Sequence, residues 1–283
     1  MTNHAVSTVD LHTHTIASDG VLAPAALVSL ASAQGLSVLG VTDHDTIDGL
    51  AEASTAADEA GITPVPGVEL STSIRGHEVH VLGYFVDMGD DDFRSRLADL
   101  AQSRLRRIER MVERLNELGY PIALEPLLAQ AEVGTIGRPH IARALIEIGA
   151  VSSIAEAFDT LLTPGKPGFV PRERFTPEDA IALIVANGAV PVLAHPFTTG
   201  DAASDVEGVI DRLQSAGLRG IEVFYGEYDT AQHAHLLDMA TRRDLIPTGG
   251  SDYHGPNFKE GRDLGSAPVP AWVWDRLHTE SGR

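Results

Sequence analysis

The chain has 283 residues, 43% of them hydrophobic, enough to bury a large core as one α/β domain or as a main domain carrying a smaller one. Its formal net charge of −19 argues against broad binding to duplex DNA or an anionic membrane, and no apolar run is long enough to span a bilayer. There are no cysteines, so any metal must be held by nitrogen and oxygen; with residues 1–8 lacking the basic and apolar regions of a signal peptide, the chain reads as cytoplasmic.

Residues 6–11 are the first strand candidate and run into His12-Thr13-His14. Residues 24–34 predict a helix, with Pro24 in its first turn and Gly35 past its end. A strand at 37–42 stops at Asp43-His44, and a helix at 47–60 is ended by Gly61. Strands at 62–68 and 78–85 carry Glu69 and His80, the second behind a turn at Arg75-Gly76. The pattern then changes to one long helix over 93–118, with Leu97, Leu100, Leu105, Ile108, Met111, Val112 and Leu115 on its apolar side. Shorter helical segments follow at 124–131, 139–148 and 154–160, and no strand pattern occurs between 87 and 166. Alternation resumes with helices at 177–187, 206–216 and 230–243 and strands at 189–194, 220–224 and 245–249. These last strands run into His195, Glu222 and Asp252-Tyr253-His254. Seven strands alternating with helices predict an α/β fold, a distorted seven-stranded (β/α) barrel, with an open sheet as the alternative. The expected organisation is a barrel in two parts, 1–88 and 167–283, interrupted by an all-helical insertion over 89–166.

Repetition of His and carboxylates at the strand ends carries the chemistry. His12 and His14 are two apart and face the same side of an extended strand, so both can grip one ion. Asp19 lies in the following turn, and His44, Glu69, His80, His195, Asp252 and His254 sit at or just beyond strand ends. Six imidazoles and three carboxylates suit more than one ion with open positions, and suit Mn, Fe or Zn better than Ca or Mg. Scattered histidines are usually surface groups, but a core histidine has no reason to recur at strand ends.

Asp10-Leu11-His12-Thr13-His14, Val41-Thr42-Asp43-His44-Asp45, Gly67-Val68-Glu69, Ala194-His195-Pro196 and Gly250-Ser251-Asp252-Tyr253-His254, in that order, resemble the motifs of the PHP (polymerase and histidinol phosphatase) metal-dependent phosphoesterases. The resemblance runs from about residue 8 to the end apart from the insertion, and it implies a trinuclear centre. By it, His12, His14, Glu69 and Asp252 hold one ion, Glu69, His80 and His195 a second, and Asp19, His44 and His254 a third, with manganese expected and iron or zinc as alternatives. Gly137-Arg138-Pro139-His140 and Gly165-Lys166-Pro167 resemble the branch acting on nucleoside bisphosphates and short oligoribonucleotides, so Arg138, His140 and Lys166 become the expected phosphate contacts. The implied activity is hydrolysis on the 5′ side of nucleoside 3′,5′-bisphosphates by a hydroxide shared between two ions. Asp43 and Asp45 flank His44 and are expected to orient a ligand or move a proton.

Other features take plainer readings. The seven arginines between 94 and 114 read as the polar face of a helix, His233 and His235 as surface residues, His77 as a turn residue, and His4 and His278 as solvated. Glu222 matches no ligand position of the family and reads as a support. Competing functions are a histidinol-phosphate phosphatase, and a non-catalytic metal- or nucleotide-binding regulatory module, which predicts lost ligands where none is lost. An amidohydrolase needs a metal-bridging lysine, and neither lysine, Lys166 nor Lys259, follows a strand. The expected partner is a small phosphorylated substrate; the sequence is silent on oligomeric state.

Overall fold

The computed structural model describes residues 8–74, 77–131, 136–171, 175–198, 205–256 and 258–282. His4 and the expected Arg75-Gly76 turn lie outside them. Seven strands stand in sequence order in one sheet: β1 (Val9–Asp10), β2 (Val38–Val41), β3 (Thr63–Ile74), β4 (His77–Tyr84), β5 (Val190–Leu193), β6 (Gly220–Tyr225) and β7 (Ile246–Gly250). The sheet closes on itself where Leu11 N donates to Gly249 O at 3.2 Å and Thr13 bridges Tyr253 in parallel. This is the expected seven-stranded barrel, and closure removes both sheet edges.

One expectation is corrected. β4 pairs antiparallel with both β3 and β5, while the other pairings are parallel. His80 therefore lies in the first half of β4 rather than at a strand end, and β3 continues past Glu69 to Ile74. The reversal sets His80 opposite Ser71 and 2.8 Å from Glu69, which itself bridges His44 past the end of β2.

Helices α1 (Pro24–Ala33), α2 (Leu50–Ala60), α7 (Pro177–Ala186), α8 (Val206–Ser215), α9 (Thr230–Arg242) and α10 (Ala271–Ser281) belong with the barrel strands. α10 carried no expectation from the sequence. Between β4 and β5 stand α3 (Asp91–Glu117), α4 (Glu125–Ala131), α5 (Arg138–Glu147) and α6 (Ile154–Ala157), the last running into one π-helical turn, Phe158–Leu162. They bury a second apolar core separate from the barrel's, built on Ile108, Met111, Leu115, Ile141, Leu145 and Leu162. α3 serves both: Phe93 and Leu97 pack into the barrel core, while its C-terminal half packs into the second. Its side chains between these two ends are thereby held over the barrel mouth.

Closure demands close backbone approach. A Cβ on Gly250 would lie 2.4 Å from His12 N and 2.5 Å from His12 Cβ, so β7 can press against the end of β1 only with glycine there. Gly250→Ala is expected to cost about 1–3 kcal/mol of stability through this overlap. Urea unfolding of the metal-free protein measures it, and an unchanged midpoint contradicts the close packing at the seam.

Candidate metal centre

Glu69 is the hub. Its Oε2 lies 3.3 Å from His12 Nε2, 3.2 Å from His14 Nε2 and 3.1 Å from His44 Nδ1. Its Oε1 lies 2.8 Å from His80 Nδ1 and 3.0 Å from His195 Nε2. Five imidazoles from four separated segments thus meet one buried carboxylate. Beside them, Asp252 Oδ1 stands 3.1 Å from His14 Nε2, and Asp19 Oδ1 stands 3.2 Å from His254 Nε2. His44 Nε2 lies 3.9 Å from Asp19 Oδ2. All nine sequence-predicted ligands converge here, and all but the half-buried His80 are buried.

Three sets have ligand atoms within 4.8 Å of one another: His12, His14, Glu69 and Asp252; His14, Asp19, His44 and His254; and His44, Glu69 and His80. The chemistry of these atoms fits cations. His12 Nε2, His14 Nε2, Asp19 Oδ1, His44 Nδ1 and Glu69 Oε2 are buried without a hydrogen-bond partner. A buried polar atom left so costs about 1–3 kcal/mol, yet the three imidazole nitrogens lie 3.1–3.3 Å from Glu69 Oε2, and Asp19 Oδ1 faces His254 Nε2, at spacings the ligands of a divalent ion keep.

Backbone and outer contacts hold the ligands. Asp45, His195 and Asp252 adopt left-handed φ of 54°, 26° and 52°, which non-glycine residues keep only where surroundings enforce it. Glu222 fixes two of the candidate ligands, with Oε1 2.9 Å from His12 Nδ1 and Oε2 accepting from His195 N at 2.8 Å. That sets His12 to present Nε2 to the hub. Asp43 accepts from Thr15 N, Thr15 Oγ1 and Ser18 Oγ, bracing the turn that carries Asp19. Asp45 accepts from Ser71 N and from Arg104.

The arginines of α3 are not one solvated face. Arg104 and Arg107 are buried at 8% and 4% exposure, and they lie on the helix's apolar stripe. Arg104 donates to Asp45 Oδ2 at 2.9 Å and to Ser71 Oγ at 3.2 Å. Arg107 donates to Glu78 Oε1 at 2.6 Å, and Arg138 pairs with the other oxygen of Glu78. Glu78 Oε2 is 3.8 Å from His80 Nε2, so this ion cluster borders the hub. Arg143 donates to Asp19 O at 3.1 Å. The α5 N-terminus sits so close that a Cβ on Gly137 would meet Arg104 at 2.7 Å and Asp19 at 3.4 Å. His140 accepts from Gly137 N, and burial foremost, then Arg143 and Arg104, overcoming Asp19, holds its pKa down at about 4. It is neutral at physiological pH. Lys166 is exposed on a turn whose neighbour Pro167 receives Arg114, about 15 Å along α3 from Arg104. The structure does not bring it to the cluster as it does Arg138 and His140. His233 is half-buried on Tyr225 O rather than on the surface, whereas His235 is exposed.

Comparisons with known proteins give the chain its family and its fold. The PHP domain model matches residues 10–120. A 3′,5′-nucleoside bisphosphate phosphatase from Chromobacterium violaceum is 34% identical over 277 residues, covering 96% of this chain and 97% of the relative. A 5′-3′ exoribonuclease from Haemophilus influenzae is 36% identical over 267 residues, covering 93% and 97%. A crystal structure from Bifidobacterium adolescentis, assigned as a metal-dependent phosphoesterase, superposes with a TM-score of 0.86 at 33% identity, covering 96% of this chain and 95% of that one.

Charge in the metal-free cluster yields a pH prediction. Burial opposes a charged His14 or His80, but the facing carboxylates of Asp252 and Glu69 for the first, and the charge of Glu69 for the second, outweigh it and raise both to about 9. A group raised in the folded state stabilises fully below its ordinary 6.5 and loses that contribution as pH rises through about 9. The melting temperature of chelator-treated protein is therefore expected to fall across that interval, while stabilisation by added manganese grows as the ligands shed their protons. A metal-free melting temperature that climbs over the same interval contradicts this charge assignment.

Proposed function

This chain belongs to the PHP-domain family of metal-dependent phosphoesterases, and from that premise we propose that it hydrolyses nucleoside 3′,5′-bisphosphates and trims short oligoribonucleotides from the 5′ end. The observation that carries the reading is the hub itself: one buried carboxylate, five imidazoles, and five buried ligand atoms without hydrogen-bond partners. No ligand position is missing, which disfavours a non-catalytic copy.

In this reading the nine residues hold three divalent ions, manganese first and iron or zinc as alternatives. His12, His14, Glu69 and Asp252 form one set, Glu69, His80 and His195 a second, and Asp19, His44 and His254 a third. The alternative sharing of His14 and His44 between sets is equally close in space. When bound, such ions lower the pKa of water to give a nucleophile and offset charge developing on phosphate. The chain's own groups do the rest. Asp43 and Asp45 hold the ligand-bearing loops rather than touching phosphorus. Residues 89–166 act as a helical cap between barrel parts 1–88 and 167–283, excluding bulk water from the mouth. Arg138 and neutral His140 bind a substrate phosphate, and Arg107 joins them; Glu78, now paired with both arginines, must then share them with the substrate. Lys166 takes the outer part of a longer substrate. We place the enzyme in the cytoplasm; among the described residues no helix is long and apolar enough to cross a membrane.

The two activities of the relatives fit one binding mode. A 5′-3′ exoribonuclease and a bisphosphate phosphatase share a geometry if the 5′-phosphate is gripped by the arginines and the ester 3′ of that nucleoside lies over the hub. This reading replaces the expectation of 5′-side hydrolysis: the 5′-phosphate is read, and the ester on the 3′ side of that nucleoside is cut.

The test is phosphate release by manganese-loaded protein from adenosine 3′,5′-bisphosphate, beside AMP, histidinol phosphate and a short 5′-phosphorylated RNA. The expected outcome is rapid conversion of the bisphosphate to 5′-AMP, reduced at least about 100-fold by His80→Ala. Release of 3′-AMP contradicts the binding orientation, and turnover of histidinol phosphate alone contradicts the nucleotide reading.

A further inference from the structure

Asp252 uses its two oxygens differently. Oδ2 accepts from Tyr225 OH at 2.9 Å and pairs with Arg262 NH1 at 2.8 Å. Oδ1 faces His14 Nε2 at 3.1 Å, His254 Nδ1 at 3.4 Å and His12 Nε2 at 3.6 Å. A carboxylate oxygen offers about two lone-pair sites, so Oδ2 is saturated and only Oδ1 is available to an ion.

Arg262 reaches Asp252 because the segment that carries it is docked. Its Nε donates to Glu227 Oε1 at 2.5 Å, and Lys259 Nζ holds the other oxygen of Glu227 at 2.5 Å. The guanidinium lies over the Tyr225 ring at 5.5 Å and the Phe258 ring at 5.8 Å, while Phe258 stacks on His254 at 4.7 Å. Two glycines permit the docking: a Cβ on Gly226 would lie 1.9 Å from Gly261 O, and Gly261 itself has a φ of 84°. The strap Phe258–Arg262 therefore seats against the end of β6, and Tyr225 from β6 completes the grip on Asp252.

We infer that Arg262 is a positioning residue that makes Asp252 a one-oxygen ligand, keeping a coordination position open for substrate at the set formed with His12, His14 and Glu69. This rests on the reading of Asp252 as a ligand. Without Arg262 only the Tyr225 hydroxyl holds Oδ2, and the carboxylate can turn and chelate through both oxygens. A merely structural strap would instead lose ions, or nothing, when Arg262 is replaced.

The experiment compares wild type with Arg262→Gln, Arg262→Lys and Gly226→Ala, measuring manganese content, kcat and KM for adenosine 3′,5′-bisphosphate, and the visible absorption of cobalt-loaded protein. Arg262→Gln is expected to keep its full manganese content, to lose kcat/KM about 10–100-fold with a raised KM, and to absorb more weakly with cobalt, because added coordination weakens cobalt bands. Arg262→Lys recovers part of kcat/KM through one bond to Oδ2. Gly226→Ala, which alters no ligand, reproduces Arg262→Gln by lifting the strap; if that variant does not fold, the two arginine variants decide alone. Wild-type kcat/KM and cobalt spectrum in Arg262→Gln overturn the inference, as does lost activity that excess manganese restores. A wild-type protein that binds neither ion overturns the underlying reading of the centre, a failure distinct from the others.

Discussion

The structure turns on burying one carboxylate among imidazoles. Glu69 is 1% exposed, and burial alone pushes its pKa upward. The neighbouring His44, His80 and His12 outweigh that and hold it well below the ordinary carboxylate range. Such a group is tolerable in a barrel only when positive charge surrounds it, whether protons on histidine or bound cations. The barrel supplies the convergence. β1, β2 and β7 deliver residues from their C-terminal ends, Glu69 sits within β3, and the reversed β4 delivers His80 from its first half. β6 gives no ligand to the hub but holds the ligands of its neighbours through Glu222 and Tyr225.

The helical segment between β4 and β5 extends this logic outward. α3 is anchored at both ends by separate apolar cores, so Arg104 and Arg107 in its middle are fixed over the mouth. They face Asp45 and Glu78, acidic groups of the barrel, and α5 adds Arg138, His140 and Arg143. A strongly acidic chain thereby gathers Arg104, Arg107, Arg138 and Arg143 beside the hub, each held by a barrel acid or backbone carbonyl. Charge summed over the chain carries no information about this local pairing of arginines with buried carboxylates.

Much of the fold was legible because its signals are local. All seven strands and the helices up to Arg242 follow from apolar periodicity and from punctuation such as Gly35 and Gly61. The direction of β4 was not, since alternation along a strand reads the same either way; consequently Glu69 and His80 looked like strand ends rather than interior positions. Arg104 and Arg107 are buried where charge alone predicts a solvated face, although a signal is present in the sequence. Phe93, Leu97, Leu100, Arg104, Arg107, Met111 and Leu115 fall at helical spacing, and an arginine inside an apolar stripe has to find a buried partner. Arg262 left no such trace, because its meaning depends on Gly226 and Gly261 meeting in space. The convergence of the nine His and carboxylate side chains was legible through their repetition, whereas the exposed turn holding Lys166 stands away from them.

The central claim is that these nine side chains hold divalent ions around Glu69. Anomalous X-ray diffraction from manganese-soaked crystals tests it most directly. The account predicts peaks within coordination distance of Glu69, of Asp252 and of Asp19, all lost in a Glu69→Ala variant except any held by Asp19 with His254. A map with no peak at the barrel mouth, or with manganese bound only elsewhere on the chain, would contradict it.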